Sequence, residues 1–136
     1  MHEERIRIRW SDMDAYGHVN NATYLNYLEE CRDAWAERVL GPVAPAWDFV
    51  LAHVGIDFRT QLTQTDGEIV VTCRLSSIGT SSIRTNEEIR KAADGTLSAQ
   101  AEAVIVPRDP DAGRSRPLTD AERRALETEL TKTTQP

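Results

Sequence analysis

One stretch of this chain carries a long helical pattern, and everything else must fold around it. From about Ala22 to Leu40, Tyr24, Tyr27, Leu28, Cys31, Trp35 and Val39 recur at spacings of three and four. Glu29, Arg32, Asp33 and Glu37 supply the polar positions between them. Asn20 and Asn21 are good N-cap types, and Gly41-Pro42 is a stop signal at the other end. The remaining periodic segments are β-like. Arg5 to Trp10 alternates polar and apolar, which predicts a strand with one buried face and one exposed arginine face. Phe49 to Arg59, Glu68 to Ile78, Ser82 to Lys91 and Thr96 to Val106 predict four more. Thr65-Asp66-Gly67, Gly79-Thr80 and Ala93-Asp94-Gly95 are short links of the kind that join antiparallel neighbours.

This order predicts an α+β fold, a five-stranded and mostly antiparallel sheet with one long helix. Helix and sheet hide their apolar faces together only if the sheet curls around the helix. Five strands leave an open edge, and a partner subunit is the usual way to cover one, so a homo-oligomer is expected. Pro107 to Pro117 reads as a loop. Thr119-Asp120-Ala121-Glu122 then opens a short helix in capping-box style, and the tail frays from Thr131. At 136 residues the chain is the size of one domain, taken as residues 1–136, with the short helix and tail at about 119–136.

Composition removes several classes of function. A net charge of −6 argues against a general nucleic-acid binder, which needs a basic face. No segment approaches the roughly 18 to 20 apolar residues that cross a bilayer, and Met1-His2-Glu3-Glu4-Arg5 lacks the apolar run of a secretory signal. A cytoplasmic protein is expected, without a membrane partner. Cys31 and Cys73 have no CxxC spacing and read as buried free thiols. His2, His18 and His53 show no ligand spacing with Asp12 or Asp14, so no metal is expected.

Chemistry concentrates between the first strand and the helix. In Arg9-Trp10-Ser11-Asp12-Met13-Asp14-Ala15-Tyr16-Gly17-His18-Val19-Asn20-Asn21, two carboxylates and a histidine precede a helix start whose first N–H groups lack intrahelical partners. A polarised carbonyl held there, beside a base or nucleophile, suits acyl chemistry. On the residues alone, Asp14 is either a turn aspartate that satisfies backbone donors or the reacting carboxylate.

Asp14-Ala15-Tyr16-Gly17-His18-Val19-Asn20-Asn21, followed by Tyr24, Tyr27 and Glu30, resembles the hotdog-fold thioesterases of the 4-hydroxybenzoyl-CoA thioesterase and acyl-CoA thioesterase group. Ile56-Asp57-Phe58-Arg59 and Gly79-Thr80-Ser81-Ser82 resemble it more weakly, and the likeness spans about Arg5 to Leu118. The resemblance implies a sheet wrapped around a central helix, dimers that often pair into tetramers, and active sites at the subunit interface. It implies hydrolysis of an acyl-CoA to free acid and coenzyme A without a cofactor, coenzyme A being part of the substrate. It puts the catalytic carboxylate on Asp14, as nucleophile or general base, with Asp12 less favoured. It puts the oxyanion-stabilising N–H on or near Asn21, and matches His18 and Asn20 to the histidine and asparagine of GHVNN. Gly17, Asn20, Tyr24, Ser81 and Ser82 become substrate-binding candidates, with Arg59 and Arg84 foremost among cations for the coenzyme phosphates; Arg90, Lys91, Arg108, Arg114 and Arg116 are further sources. Two alternatives share the fold: a thioesterase acting on acyl-carrier protein, and a non-catalytic acyl-binding subunit.

Overall fold

The computed structural model describes residues 1–45 and 48–134. Its elements are β1 (His2–Arg7), α1 (Asn21–Leu40), β2 (Phe49–Phe58), β3 (Glu68–Ile78), β4 (Ile83–Lys91), β5 (Leu97–Asp109), β6 (Arg114–Ser115) and α2 (Asp120–Thr134). The sheet runs β1-β3-β4-β5-β2, with β6 pairing β5, and every pairing is antiparallel. Period-two alternation explains which face turns inward: Ile69, Val71, Cys73 and Leu75 of β3 and Ile83, Thr85, Glu87 and Ile89 of β4 are buried. The curled sheet encloses Leu28, Cys31, Trp35 and Leu40 of α1, and α2 adds Leu126 to the same core. β2 pairs with β5 on one side only, so its outer edge is free of partners among the described residues.

The helix begins where its cap residues place it. Asn20 Oδ1 accepts the Ala22 N–H at 2.9 Å, and the Gly41 N–H reaches Glu37 O at 3.1 Å at the far end. The predicted helix and the β3 strand agree with the observed ones to within a residue.

Four expectations need correction. The first strand starts at His2 and ends at Arg7 rather than running from Arg5 to Trp10. The chain turns at Trp10–Asp12 because the Asp12 carboxylate accepts the Arg9 N–H at 2.9 Å, which closes a 3-10 turn and swings Trp10 out to solvent. The sheet has a sixth strand, since the loop expected at Pro107 to Pro117 is partly structured: β5 continues to Asp109 and β6 folds back on it. α2 holds helical form through Thr134, past the expected fraying at Thr131; the last two residues lie outside those described. Arg32, read as a polar position on the helix, is buried at 5% exposure against Glu87.

Candidate active site

β1 delivers the chain to a short, tightly closed turn. The Ile8 N–H bonds Gly67 O at 2.8 Å, and the 3-10 turn follows at once. Met13 and Val19 then form an isolated antiparallel bridge, the Asp14 N–H bonds His18 O at 2.9 Å, and the Gly17 N–H bonds Asp14 O at 3.1 Å. Gly17 makes this reversal at φ +87, a conformation that costs a side-chain-bearing residue dearly. On the exit side the Asn20 N–H bonds Asp12 O at 3.0 Å and the Val19 N–H bonds Leu62 O at 2.8 Å, which ties the turn to the segment after β2.

Asp14 and His18 face each other inside this frame. Asp14 Oδ1 accepts the Tyr16 N–H at 2.8 Å, and Oδ2 lies 3.8 Å from His18 Nδ1. The Tyr16 ring, 86% exposed, stacks near His18 with centroids 6.3 Å apart. At the adjoining helix start, Asn20 Oδ1 takes the Ala22 N–H and Asn20 O takes the Thr23 N–H. The Asn21 N–H is left without a hydrogen-bond partner in the described structure. A carboxylate and an imidazole therefore face each other in the turn that leads into a helix start with an open N–H.

Asp12, two residues from Asp14, is engaged differently. At 4% exposure it accepts the Arg9 N–H, the Tyr27 hydroxyl at 2.7 Å and the Arg9 guanidinium at 3.2 Å. Burial pushes its pKa up, but the Arg9 N–H, the Tyr27 hydroxyl and the Arg9 guanidinium together outweigh this and hold it below the usual aspartate value. Burial, reinforced by Asp12, drives the Tyr27 hydroxyl far above the ordinary tyrosine value, so Tyr27 stays a donor. This brace was absent from the sequence reading; the pairing of Tyr27 with a residue 15 positions earlier leaves no periodic trace.

The other expected site residues divide between two ends of the molecule. Tyr24 is buried beside the turn, edge-on to Phe58 at 5.0 Å and to Tyr27 at 6.3 Å. Arg59 is at the same end, its guanidinium on Gln100 at 3.1 Å and 3.9 Å from Asp57. Ser81, Ser82 and Arg84 are not brought to Asp14. They sit at or beside the β3–β4 turn, at the far end of an 11-residue strand that spans about 35 Å at full extension. That turn lies next to the start of β2, because Ile83 pairs Ile105 and Ile105 pairs Leu51. Several of the other cations have partners: Arg90 with Glu88, Lys91 with Asp66, Arg108 with Gly113 O and Arg116 with Glu122. A hollow of about 690 Å³ lies across polar residues such as Arg74, Asn86 and Gln100 on the outer sheet face, away from the turn. Among the described residues no helix is long and apolar enough to cross a membrane.

Comparison with known proteins agrees with this architecture. The family model of the thioesterase-like superfamily matches residues 8–126. The long-chain acyl-CoA thioesterase FadM of Escherichia coli is 27% identical over 111 residues, covering 76% of this chain and 80% of that protein. A Thermus thermophilus thioesterase, solved with coenzyme A and Zn, is 28% identical with a TM-score of 0.84, covering 99% of this chain and 96% of the other. A structure described as a predicted thioesterase from Bacillus stearothermophilus is 26% identical with a TM-score of 0.85, covering 99% and 98%. With the curled antiparallel sheet, the enclosed helix and a family match over most of its length, this chain belongs to the thioesterase-like superfamily, as a thioester hydrolase of hotdog fold.

Proposed function

We propose that the chain hydrolyses acyl-CoA thioesters to free acid and coenzyme A, with Asp14 as the reacting carboxylate and the Asn21 N–H as oxyanion donor. The observation that carries this reading is the juxtaposition of Asp14 with a helix start whose first N–H is unmatched. Asp14 either attacks the thioester carbon, giving an anhydride that water then opens, or takes a proton from water that attacks instead. On both routes the carbonyl oxygen becomes an oxyanion facing Asn21, the C–S bond breaks, and the coenzyme thiolate leaves and is protonated. His18 orients water or substrate beside Asp14, Asn20 and Gly17 hold the turn, and Tyr24 walls the acyl group. No step calls on a metal or other cofactor. The names of FadM and of the coenzyme-bound Thermus thioesterase support coenzyme A as the carrier.

A second copy completes the site in this reading. Antiparallel pairing of two β2 edges sets the Leu51 end of one strand beside the Phe58 end of the other. It thus carries one copy's Ser81, Ser82 and Arg84 toward its partner's Asp14 and Arg59. The working unit is a single-domain subunit, residues 1–136, in a dimer or a pair of dimers, and the two unpaired buried thiols suit a cytoplasmic setting. The test is coenzyme A release from a panel of aromatic and aliphatic acyl-CoAs, beside the same acyl groups on acyl-carrier protein and with a chelator control. Chelator-insensitive turnover of acyl-CoAs is expected. Turnover of the carrier-protein thioesters alone, or of none, overturns the proposal in favour of the carrier-protein or acyl-binding alternative.

A further inference from the structure

The β3–β4 turn is held in shape by the entry to α2. The Gly79 N–H bonds Ser82 O at 2.7 Å, the Leu118 N–H bonds Thr80 O at 3.0 Å, and Arg123 Nη2 donates to Gly79 O at 2.9 Å. Glycine at position 79 also leaves Ser82 its place, since a Cβ there would stand 2.6 Å from Ser82 Oγ. The backbone of the turn is thus tied down while its serine hydroxyls are free. Neither Ser81 nor Ser82 has a side-chain partner among the described residues, and neither hydroxyl is enclosed. A fixed backbone that presents two unclaimed hydroxyls is preorganised for a ligand.

The entry to α2 is itself anchored, so it can serve as a mount. Thr119 and Glu122 cap it reciprocally, the Thr119 N–H on Glu122 Oε1 at 2.8 Å and the Glu122 N–H on Thr119 Oγ1 at 3.1 Å. The buried Glu122 carboxylate also takes Arg116 Nη1 at 2.8 Å and Nη2 at 2.9 Å, and the Arg116 guanidinium lies 5.9 Å from the centre of the Phe49 ring on β2. Arg123 is the next residue along. Asp120 and Glu127 stand three residues before it and four after it, the spacings at which a helix pairs opposite charges. Neither pairs with it: the one partner of its guanidinium among the described residues is the Gly79 carbonyl, 44 positions earlier in the chain. A bond from a charged donor is roughly twice as strong as a neutral one, and here it acts on the turn alone.

We propose that Arg123 is a positioning residue for the thioester substrate: through Gly79 O it fixes the β3–β4 turn so that Ser81 and Ser82 meet the substrate bound at the partner's Asp14. This rests on the acyl-CoA reading and its second copy, and adds to them a residue that touches no substrate. The test is steady-state kinetics on one acyl-CoA with four proteins: the unaltered chain, Arg123→Met, Ser81→Ala with Ser82→Ala, and all three substitutions together. Arg123→Met is expected to raise KM about tenfold with kcat within about twofold, the pattern of lost uniform binding. Arg123→Lys and Arg123→Gln, each keeping a donor, recover most and part of that loss. The serine pair raises KM by a similar factor, and adding Arg123→Met to it changes KM by less than about twofold, because both act through one contact. A bond that merely stabilised the fold would give neither the KM–kcat split nor this non-additivity. KM raised by the serine pair but unmoved by Arg123→Met, or raised by the full product of the two effects, overturns the positioning role and leaves the acyl-CoA reading standing. A serine pair without effect on KM removes the turn from the site and overturns the proposal with it, whereas no turnover by the unaltered protein overturns the acyl-CoA reading as well.

Discussion

Tyr27 donates its hydroxyl to Asp12 Oδ2 at 2.7 Å, bolting the second turn of α1 to the strand-to-helix turn that presents Asp14. Both partners are buried, and Asp12 O in turn accepts the Asn20 N–H, so the brace runs from the helix interior to its own cap.

Tyr27→Phe leaves the buried Asp12 carboxylate short of one donor, and a stability loss of about 1–3 kcal/mol is expected. Asp12 has its pKa lowered in the folded state, so its ionised contribution is complete above the ordinary value of 3.8 and lost as pH falls through the lower folded value. Urea unfolding of both proteins across pH checks this. The gap between them stays constant at neutral pH and shrinks only below the ordinary aspartate range.

Breaking the Arg32–Glu87 pair from one side strands a charge. Arg32→Met alone is expected to cost about 3–5 kcal/mol, while Arg32→Met with Glu87→Met recovers most of it, because well-packed apolar substitutes rival a buried ion pair. Chemical denaturation of the two single variants and the double variant measures the coupling. Additive losses would show that the two side chains are independent.

Asn20→Ala removes the acceptor that occupies the Ala22 N–H. A loss of about 1 kcal/mol is expected, with Asn20→Asp recovering most of it. Thermal unfolding of the three proteins reads the order directly.

The two thiols are shielded rather than poised. Burial, with the nearby Glu87 carboxylate, pushes Cys31 up to about 12 and Cys73 higher still. Reaction with an aromatic disulfide reagent at pH 8 is expected to be slow in the native protein and complete on unfolding, since the thiolate is the nucleophile. Rapid native labelling of either thiol would contradict this burial.

Much of this arrangement is legible locally. The three-and-four spacing from Tyr24 to Val39 and the alternation along β3 and β4 are periodic signals set by which face is buried, and the structure follows them. What escapes is long-range or geometric. Arg32 looks like a solvated helix position until the sheet brings Glu87 beneath it, 55 residues later. Pro107 looks like a loop residue, yet it sits in β5 beyond the end of β4, where Phe49 pairs it and its missing N–H is tolerated. Trp10 follows an alternating run, but the Asp12 carboxylate captures the Arg9 N–H and ends the strand first. At the turn itself, residue types indicate where Asp14 lies, while the open Asn21 N–H is visible only once the Asn20 side chain has been placed.

The central claim is that the Asp14 carboxylate performs the chemistry. Asp14→Asn keeps the side chain's shape and its bond from the Tyr16 N–H while removing the charge. Its rate of coenzyme A release on the best acyl-CoA, measured in folded protein beside the unaltered enzyme, is the most direct test. The account predicts a fall in kcat of at least about a hundredfold, the usual scale for losing an acid–base group, with thermal stability nearly unchanged. Retention of full turnover by folded Asp14→Asn would contradict it on both the nucleophile and the general-base route.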